Sequence, residues 1–219
     1  CSQDLTVFLF LTNKTKKLPT KGVQTELDEN NVNSAFTFGC IPSNEIYIFR
    51  REEWFKVLIH ESIHSLGIDF SNMDHQEMIT KTIIHSTFFG IKSGDLRLYE
   101  AYTELWAQIM NICVCVFEKT KRKEFDLIVQ NKISSCLQME IIWGLIQTSK
   151  ILRYHHMKYE DLFSKIPTTK KYQETKTQVF SYYILKSVFY VYLNDFLKWS
   201  CEYKRGAILS RIVFEENRI

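Results

Sequence analysis

The residues best suited to chemistry lie in one short segment, His60-Glu61-Ser62-Ile63-His64, which has the pattern HExxH. Positions i and i+4 of a helix share one face, so His60 and His64 should project side by side. Two imidazoles at that spacing can bind one zinc ion. Glu61 points alongside the first histidine, where it can hold a water molecule and accept its proton. The segment therefore predicts zinc ligands at His60 and His64, and a general base at Glu61.

The neighbours of this segment indicate a buried helix rather than a solvated one. Glu61 is the only charged residue between the two histidines, and Gly67 supplies a stop signal for the helix. The remaining positions are strongly apolar: Val57, Leu58, Ile59, Ile63 and Leu66. A third histidine in the pattern HExxHxxGxxH is excluded because Phe70 occupies its position.

A catalytic zinc needs a third protein ligand, and a second helix offers one. Glu100 and Glu104 stand at i and i+4 in a segment whose other residues are mostly apolar and aromatic. Burying two carboxylates there is costly unless a metal ion and a metal-bound histidine neutralise them. We expect Glu100 to bind the metal and Glu104 to accept a hydrogen bond from a ligand histidine. The alternatives are a solvated acidic stripe, or a third ligand at His75 or His85.

HExxH followed by ExxxE resembles the gluzincin clan of zinc metallopeptidases, including lethal-factor-type catalytic domains. The segment from Val32 to the ExxxE helix also resembles zincin-like proteins of large DNA viruses. The resemblance implies a zincin-like fold, a Zn²⁺ cofactor, and hydrolysis of a peptide or protein substrate. It also implies a Tyr or His in the C-terminal helical part that stabilises the oxyanion, without choosing among candidates. These candidates are Tyr182, Tyr183, His155 and His156, with Tyr159 a further possibility.

In such enzymes an extended substrate pairs with an edge strand beside the metal. The residues that look like this strand are Ala35, Phe36, Thr37 and Phe38. Its free backbone groups would bind the substrate by strand addition. An ordinary strand of a small sheet is the alternative interpretation.

The hydrophobic patterns divide the chain into a strand-rich part, residues 1–50, and a helical part, residues 51–219. We expect strands over 5–12, 35–40 and 45–50, and helices near 52–66, 76–89, 95–119, 123–155 and 175–204. This order predicts a single α+β domain, in which a small, mostly antiparallel sheet packs on a predominantly helical body. Because the first residue is Cys1, we expect the chain to be a portion of a longer or processed product.

Composition excludes several classes of protein. Hydrophobic residues make up 45% and charged residues 24% of the 219 residues, which excludes disordered and collagen-like chains. The net charge of +3 is too small to predict nucleic-acid binding. Residues 179–197 include Lys186 and Asp195, so we expect a buried amphipathic helix rather than a membrane span. The six cysteines predict reduced thiols in an intracellular protein, and the basic loop over 13–28 predicts solvated surface.

Three alternatives to a peptidase stay open from the sequence. The first is that the chain keeps the fold as a structural or interaction protein, with a virus particle as one setting. A fourth protein ligand, such as His75 or Asp69, would make the zinc structural, although Asp69 fits better as a helix-end or turn residue. A zinc hydrolase acting on a non-peptide bond is the third alternative. The assembly partners stay unknown.

Overall fold

The computed structural model describes residues 1–17, 19, 26–71, 74–93, 96–120, 127–166 and 171–202. At residues 74–77, 93 and 201–202 it describes the backbone alone. The described chain is of the α+β class, as the sequence predicts: a small sheet near the N-terminus precedes a mainly helical body. None of its helices is both long and apolar enough to cross a membrane.

Three strands form the N-terminal sheet: β1 (Asp4–Thr12), β2 (Ala35–Thr37) and β3 (Ser43–Arg50). The order is β1-β3-β2, so β2 is an edge strand. β2 runs antiparallel to β3, but the longer pairing, between β1 and β3, is parallel. The expectation of a mostly antiparallel sheet is therefore wrong. Alternation of apolar residues shows which face of a strand is buried, but it does not indicate whether neighbouring strands run parallel or antiparallel.

A short helix, α1 (Glu29–Val32), lies between β1 and β2. It begins at Asp28, whose Oδ1 accepts a hydrogen bond from the backbone N–H of Asn30 at 2.9 Å. The side chain of Asn31 accepts in return from the Asp28 backbone N–H at 2.9 Å. This reciprocal capping fixes the direction in which the chain leaves towards β2.

Four longer helices follow close to their predicted positions: α2 (Trp54–Ser65), α3 (Asp74–Thr87), α4 (Leu98–Lys119) and α5 (Leu127–Tyr154). One face of α2 packs on the sheet through Val57, which contacts Ile46 and Ile48. Another face packs on α4, where Ile63 meets Tyr102 and Trp106. The HExxH segment is thus buried between the sheet and α4, as its apolar neighbours predict.

The helix predicted over 175–204 is divided into pieces. A π-helical turn (Phe180–Leu185) runs into α6 (Lys186–Val191), and α7 (Leu193–Glu202) follows after a break at Tyr192. Residues 175–178 of this prediction are not helical, and residues 203–204 lie outside the described part of the chain. Single π-helical turns often occur at functional sites, and this one contains Tyr182 and Tyr183.

Two short strands and a 3₁₀ helix were not predicted. β4 (Ile91–Ser93) pairs in parallel with β5 (Tyr172–Gln173), and the 3₁₀ helix covers Tyr159–Phe163. Segments this short carry too few residues for a periodic pattern.

A disulfide joins Cys1 to Cys40, which corrects the expectation that these two cysteines are reduced thiols. The two are far apart in sequence, and only the folding of the sheet brings them together. Cys113, Cys115 and Cys136 are free thiols. Gly67 follows the end of α2 and has a left-handed backbone with φ of 62°. The disulfide packs against it so closely that a Cβ at this position would collide with the Cys1 sulfur. The end of the HExxH helix is therefore tied to the N-terminus and to the turn after β2.

Candidate metal centre

The two histidines of HExxH lie side by side on α2, as their spacing predicts. Their Nε2 atoms are 3.1 Å apart, and their ring centroids are 4.8 Å apart. His60 is 7% exposed, so the pair lies within the protein rather than on its surface.

Helix α4 brings Glu100 to the same point. Its Oε2 atom lies 3.5 Å from His60 Nε2 and 3.3 Å from His64 Nε2. This oxygen is buried and has no hydrogen-bond partner. In the part of the chain that the structure describes, His60, His64 and Glu100 are the group whose ligand atoms converge closely enough to hold one metal ion.

The outer nitrogen of each imidazole faces a carboxylate. His60 Nδ1 lies 3.0 Å from Glu104 Oε2, and His64 Nδ1 lies 2.5 Å from Asp69 Oδ2. Carboxylates accept hydrogen bonds, so each neutral ring carries its proton on Nδ1 and presents a lone pair on Nε2. Two lone pairs and a carboxylate oxygen then face one another without a donor. This arrangement fits a cation held at their centre.

The place of Glu104 agrees with the expectation from the sequence, but the contact of Asp69 was missed. Asp69 lies in the turn after Gly67, and its Oδ1 accepts a hydrogen bond from Ser71 Oγ at 2.7 Å. The sequence treats it as a turn residue, and nothing in the helix pattern predicts that this turn folds back onto His64. The signal that the sequence offers for this contact is an acidic residue, Asp69, five positions after a ligand histidine.

Two lysines complete the charge around Glu104. Lys56 Nζ lies 2.6 Å and Lys186 Nζ 3.2 Å from Glu104 Oε1, and all three side chains are largely buried. Neither lysine was predicted from the sequence to lie at the site. Lys56 precedes His60 by one helical turn, so the sequence was sufficient to predict that both side chains lie on the same face of α2.

The balance of buried charge also fits a divalent cation. Four carboxylates and two ammonium groups surround the imidazoles: Glu61, Asp69, Glu100, Glu104, Lys56 and Lys186. Two negative charges are left over, and one divalent ion neutralises them. Buried charges left unpaired are costly.

Shifted pKa values show the same imbalance when no cation is bound. Burial lowers the pKa of His64, but its contacts with Asp69 and Glu100 outweigh burial and raise that pKa to about 10. Burial is likewise outweighed at His60, where Glu100 and Glu104 raise the pKa. Burial raises the pKa of Glu100, but the two histidines reverse this and hold it well below its usual range.

Glu61 lies beside the three converging atoms and faces an open cleft. Burial raises its pKa, and the side chain is 9% exposed. It lines the cleft together with His60, Val57 and Ala35. The residue predicted as general base is therefore next to the candidate metal site and reachable from the cleft.

Among the oxyanion candidates, the structure brings Tyr182 and Tyr183 to the cleft. The Tyr182 ring lies 6.0 Å from the His60 ring. Burial, followed by Glu100 and Glu61, raises the pKa of Tyr182 well above its ordinary value, so the hydroxyl keeps its proton near neutral pH.

The histidine candidates lie elsewhere. His155 packs on Tyr172, with ring centroids 4.5 Å apart, and His156 has a left-handed backbone with φ of 53° after α5. Neither lines the cleft with His60. Tyr159 packs on Phe163 instead. His85 is exposed on α3, and the side chain of His75 lies outside the described residues.

The predicted edge strand reaches the cleft at one end. Ala35 lines it, together with the preceding residues Val32, Asn33 and Ser34. Phe36 turns to the opposite face of the sheet, where its ring stacks on Tyr47 at 4.8 Å. Thr37 and Phe38 do not line the cleft, so its wall extends from Ala35 towards the N-terminus.

Comparison with known proteins gives no relative from which to assign the site. No protein-family model, curated protein or solved structure matches the chain.

Proposed function

We propose that the chain is a zinc-dependent peptidase of the gluzincin type with a zincin-like fold. One observation carries the proposal: His60 Nε2, His64 Nε2 and Glu100 Oε2 all lie within 4.8 Å of one another, beside Glu61 in an open cleft. Two imidazoles and one carboxylate are a ligand set typical of catalytic zinc, which keeps a further position open for solvent or substrate.

Zinc, when bound there, would polarise a substrate carbonyl and lower the pKa of water. Glu61 would take the proton of the attacking water and later give it to the leaving amine, because its side chain is buried beside the ligand atoms and lines the cleft. The Tyr182 hydroxyl would donate a hydrogen bond to the carbonyl oxygen as negative charge develops on it.

Glu104 and Asp69 would hold the two imidazoles in the orientation that directs Nε2 to the metal. The edge of β2 would bind the substrate backbone in an extended form, since β2 pairs with β3 on one side only. This choice of an extended peptide as substrate depends on Ala35 being next to Glu61 in the cleft.

A structural zinc site is the main alternative, and in one form of it Asp69 would be the fourth ligand. The position of Asp69 argues against that form. Asp69 contacts the Nδ1 atom of His64, which is the far side of the ring from Nε2. It is therefore placed to orient a ligand rather than to act as a fourth one. Among the described side chains, no further ligand joins the group.

The test compares the zinc-loaded protein with its Glu61→Gln variant on a mixed peptide library. We expect the variant to keep its zinc and to lose hydrolysis by roughly a hundredfold or more. The matched control is His85→Ala, which changes an exposed residue and should retain full activity. Undiminished hydrolysis by Glu61→Gln would reject the mechanism, and an inactive wild-type protein with stoichiometric zinc would favour the structural alternative.

A further inference from the structure

Two lysines lie in the same cleft as the proposed catalytic residues. Lys16 and Lys56 both line it, together with His60 and Glu61. The Lys56 side chain is 9% exposed and is bound by Glu104 inside the protein, whereas the Lys16 side chain is 23% exposed. Lys16 is thus the cation that a molecule entering the cleft can reach.

The present partner of Lys16 is a carboxylate that can be displaced. Glu53 Oε2 lies 3.1 Å from Lys16 Nζ and 3.7 Å from Lys56 Nζ, and the Glu53 side chain is 50% exposed. Ion pairs this exposed are weak, because water competes for both charges. Glu53 can therefore turn towards solvent and leave the two ammonium groups to another carboxylate.

The backbone holds Lys16 in place at the beginning of α2. Its N–H donates a hydrogen bond to Glu52 Oε2 at 3.2 Å, which fastens the loop to the residues before the helix. Lys14 and Lys17 are exposed on the same loop and add positive charge there. Among the described residues, the acids that line the cleft are Glu61 and Glu104, and Glu104 is already bound by Lys56, Lys186 and His60.

We propose that the cleft selects peptide segments carrying an Asp or Glu side chain, whose carboxylate binds Lys16 in place of Glu53. This inference rests on the proposed peptidase function, which makes the occupant of the cleft a peptide. A neutral side chain that displaced Glu53 would leave the Lys16 ammonium group covered and unpaired, whereas an acidic side chain restores its ion pair. The substrate's acidic side chain therefore replaces an existing interaction and buries no unpaired charge.

The test digests a random peptide library with three zinc-loaded proteins: wild type, Lys16→Glu and Lys14→Glu. Mass spectrometry of the products gives the residue frequencies around each cleaved bond. We expect Asp and Glu to be enriched about tenfold at one position for the wild type, the effect of one hydrogen bond between charged groups. Lys16→Glu should lose this enrichment or favour basic residues instead. Lys14→Glu makes the same charge change on an exposed neighbour and should retain it.

A binding measurement separates failure of this inference from failure of the proposed function. Short fluorescent peptides with a fixed Glu are compared with the same peptides carrying Gln, using zinc-loaded protein with and without Lys16→Glu. About tenfold tighter binding of the Glu peptides, lost in Lys16→Glu, supports acidic selection even if no peptide is cleaved. Equal binding of the two peptide sets, or cleavage without an acidic preference, overturns it and leaves the peptidase proposal standing.

Discussion

Asp69 Oδ2 lies 2.5 Å from His64 Nδ1, and this contact joins the turn after α2 to the candidate metal site. The Asp69 carboxylate is fully buried, and Ser71 holds its other oxygen. Gly67 and the disulfide packed against it hold this turn in place. The orientation of one proposed ligand therefore depends on a segment outside the HExxH helix.

Replacing Asp69 with Ala should weaken zinc binding by roughly 10- to 100-fold, because His64 loses the group that fixes its ring and the proton on Nδ1. Competition with a chromophoric chelator measures the affinity. Ser71→Ala keeps the carboxylate and serves as the matched control with a smaller effect. Equal zinc affinity in Asp69→Ala and the wild type would show that the contact has no role at the metal.

Glu100→Ala should lower zinc content far more than His85→Ala does. Glu100 supplies one of the three converging atoms, whereas His85 is exposed on α3 away from them. Elemental analysis after dialysis gives the zinc content of each protein. If His85→Ala lost more zinc than Glu100→Ala, the assignment of the third ligand would be rejected.

Reduction of the Cys1–Cys40 disulfide should lower the free energy of unfolding by roughly 2–4 kcal/mol, because the bond closes a loop across the sheet. Urea unfolding with and without a dithiol measures the change. A variant with Ser at both positions should match the reduced protein and show no response to the dithiol. A wild-type unfolding curve that the dithiol leaves unchanged would argue against this pairing.

Glu174 should make the protein less stable as pH rises towards 8. Burial raises the pKa of this carboxyl from 4.5 to about 7, and the side chain is 3% exposed. A carboxyl whose pKa is higher in the folded state stabilises the fold below the unfolded value, and this contribution is lost as pH rises through about 7.

The measurement for Glu174 is urea unfolding at pH 5 and pH 8. Wild type should lose about 2.5 kcal/mol more than Glu174→Gln over this interval, since the variant has no charge to bury. Glu160→Gln, which changes an exposed carboxyl, should keep the wild-type dependence. Parallel pH profiles for wild type and Glu174→Gln would contradict the buried ionisation.

The sequence predicts those parts of the site that depend on local geometry. His60 and His64 share a face because they are one helical turn apart, and the same spacing places Glu100 and Glu104 on one face of α4. Their burial is readable from the apolar residues around them. The structure then brings the two pairs together, which helix periodicity alone does not require.

What the sequence does not predict depends on the path of the chain between elements. The contact of Asp69 requires the turn after α2 to fold back, and that of Lys186 requires the π-helical turn to direct α6 towards Glu104. The parallel pairing of β1 and β3 and the Cys1–Cys40 disulfide arise in the same way. None of these leaves a periodic signal in the residues concerned.

The most direct test of the central claim is a crystal structure of the zinc-loaded protein, with anomalous scattering recorded at the zinc edge. We expect one ion bound by His60 Nε2, His64 Nε2 and Glu100, with a position open to solvent on the side of Glu61. A fourth protein ligand, or an ion bound away from these three residues, would contradict the account.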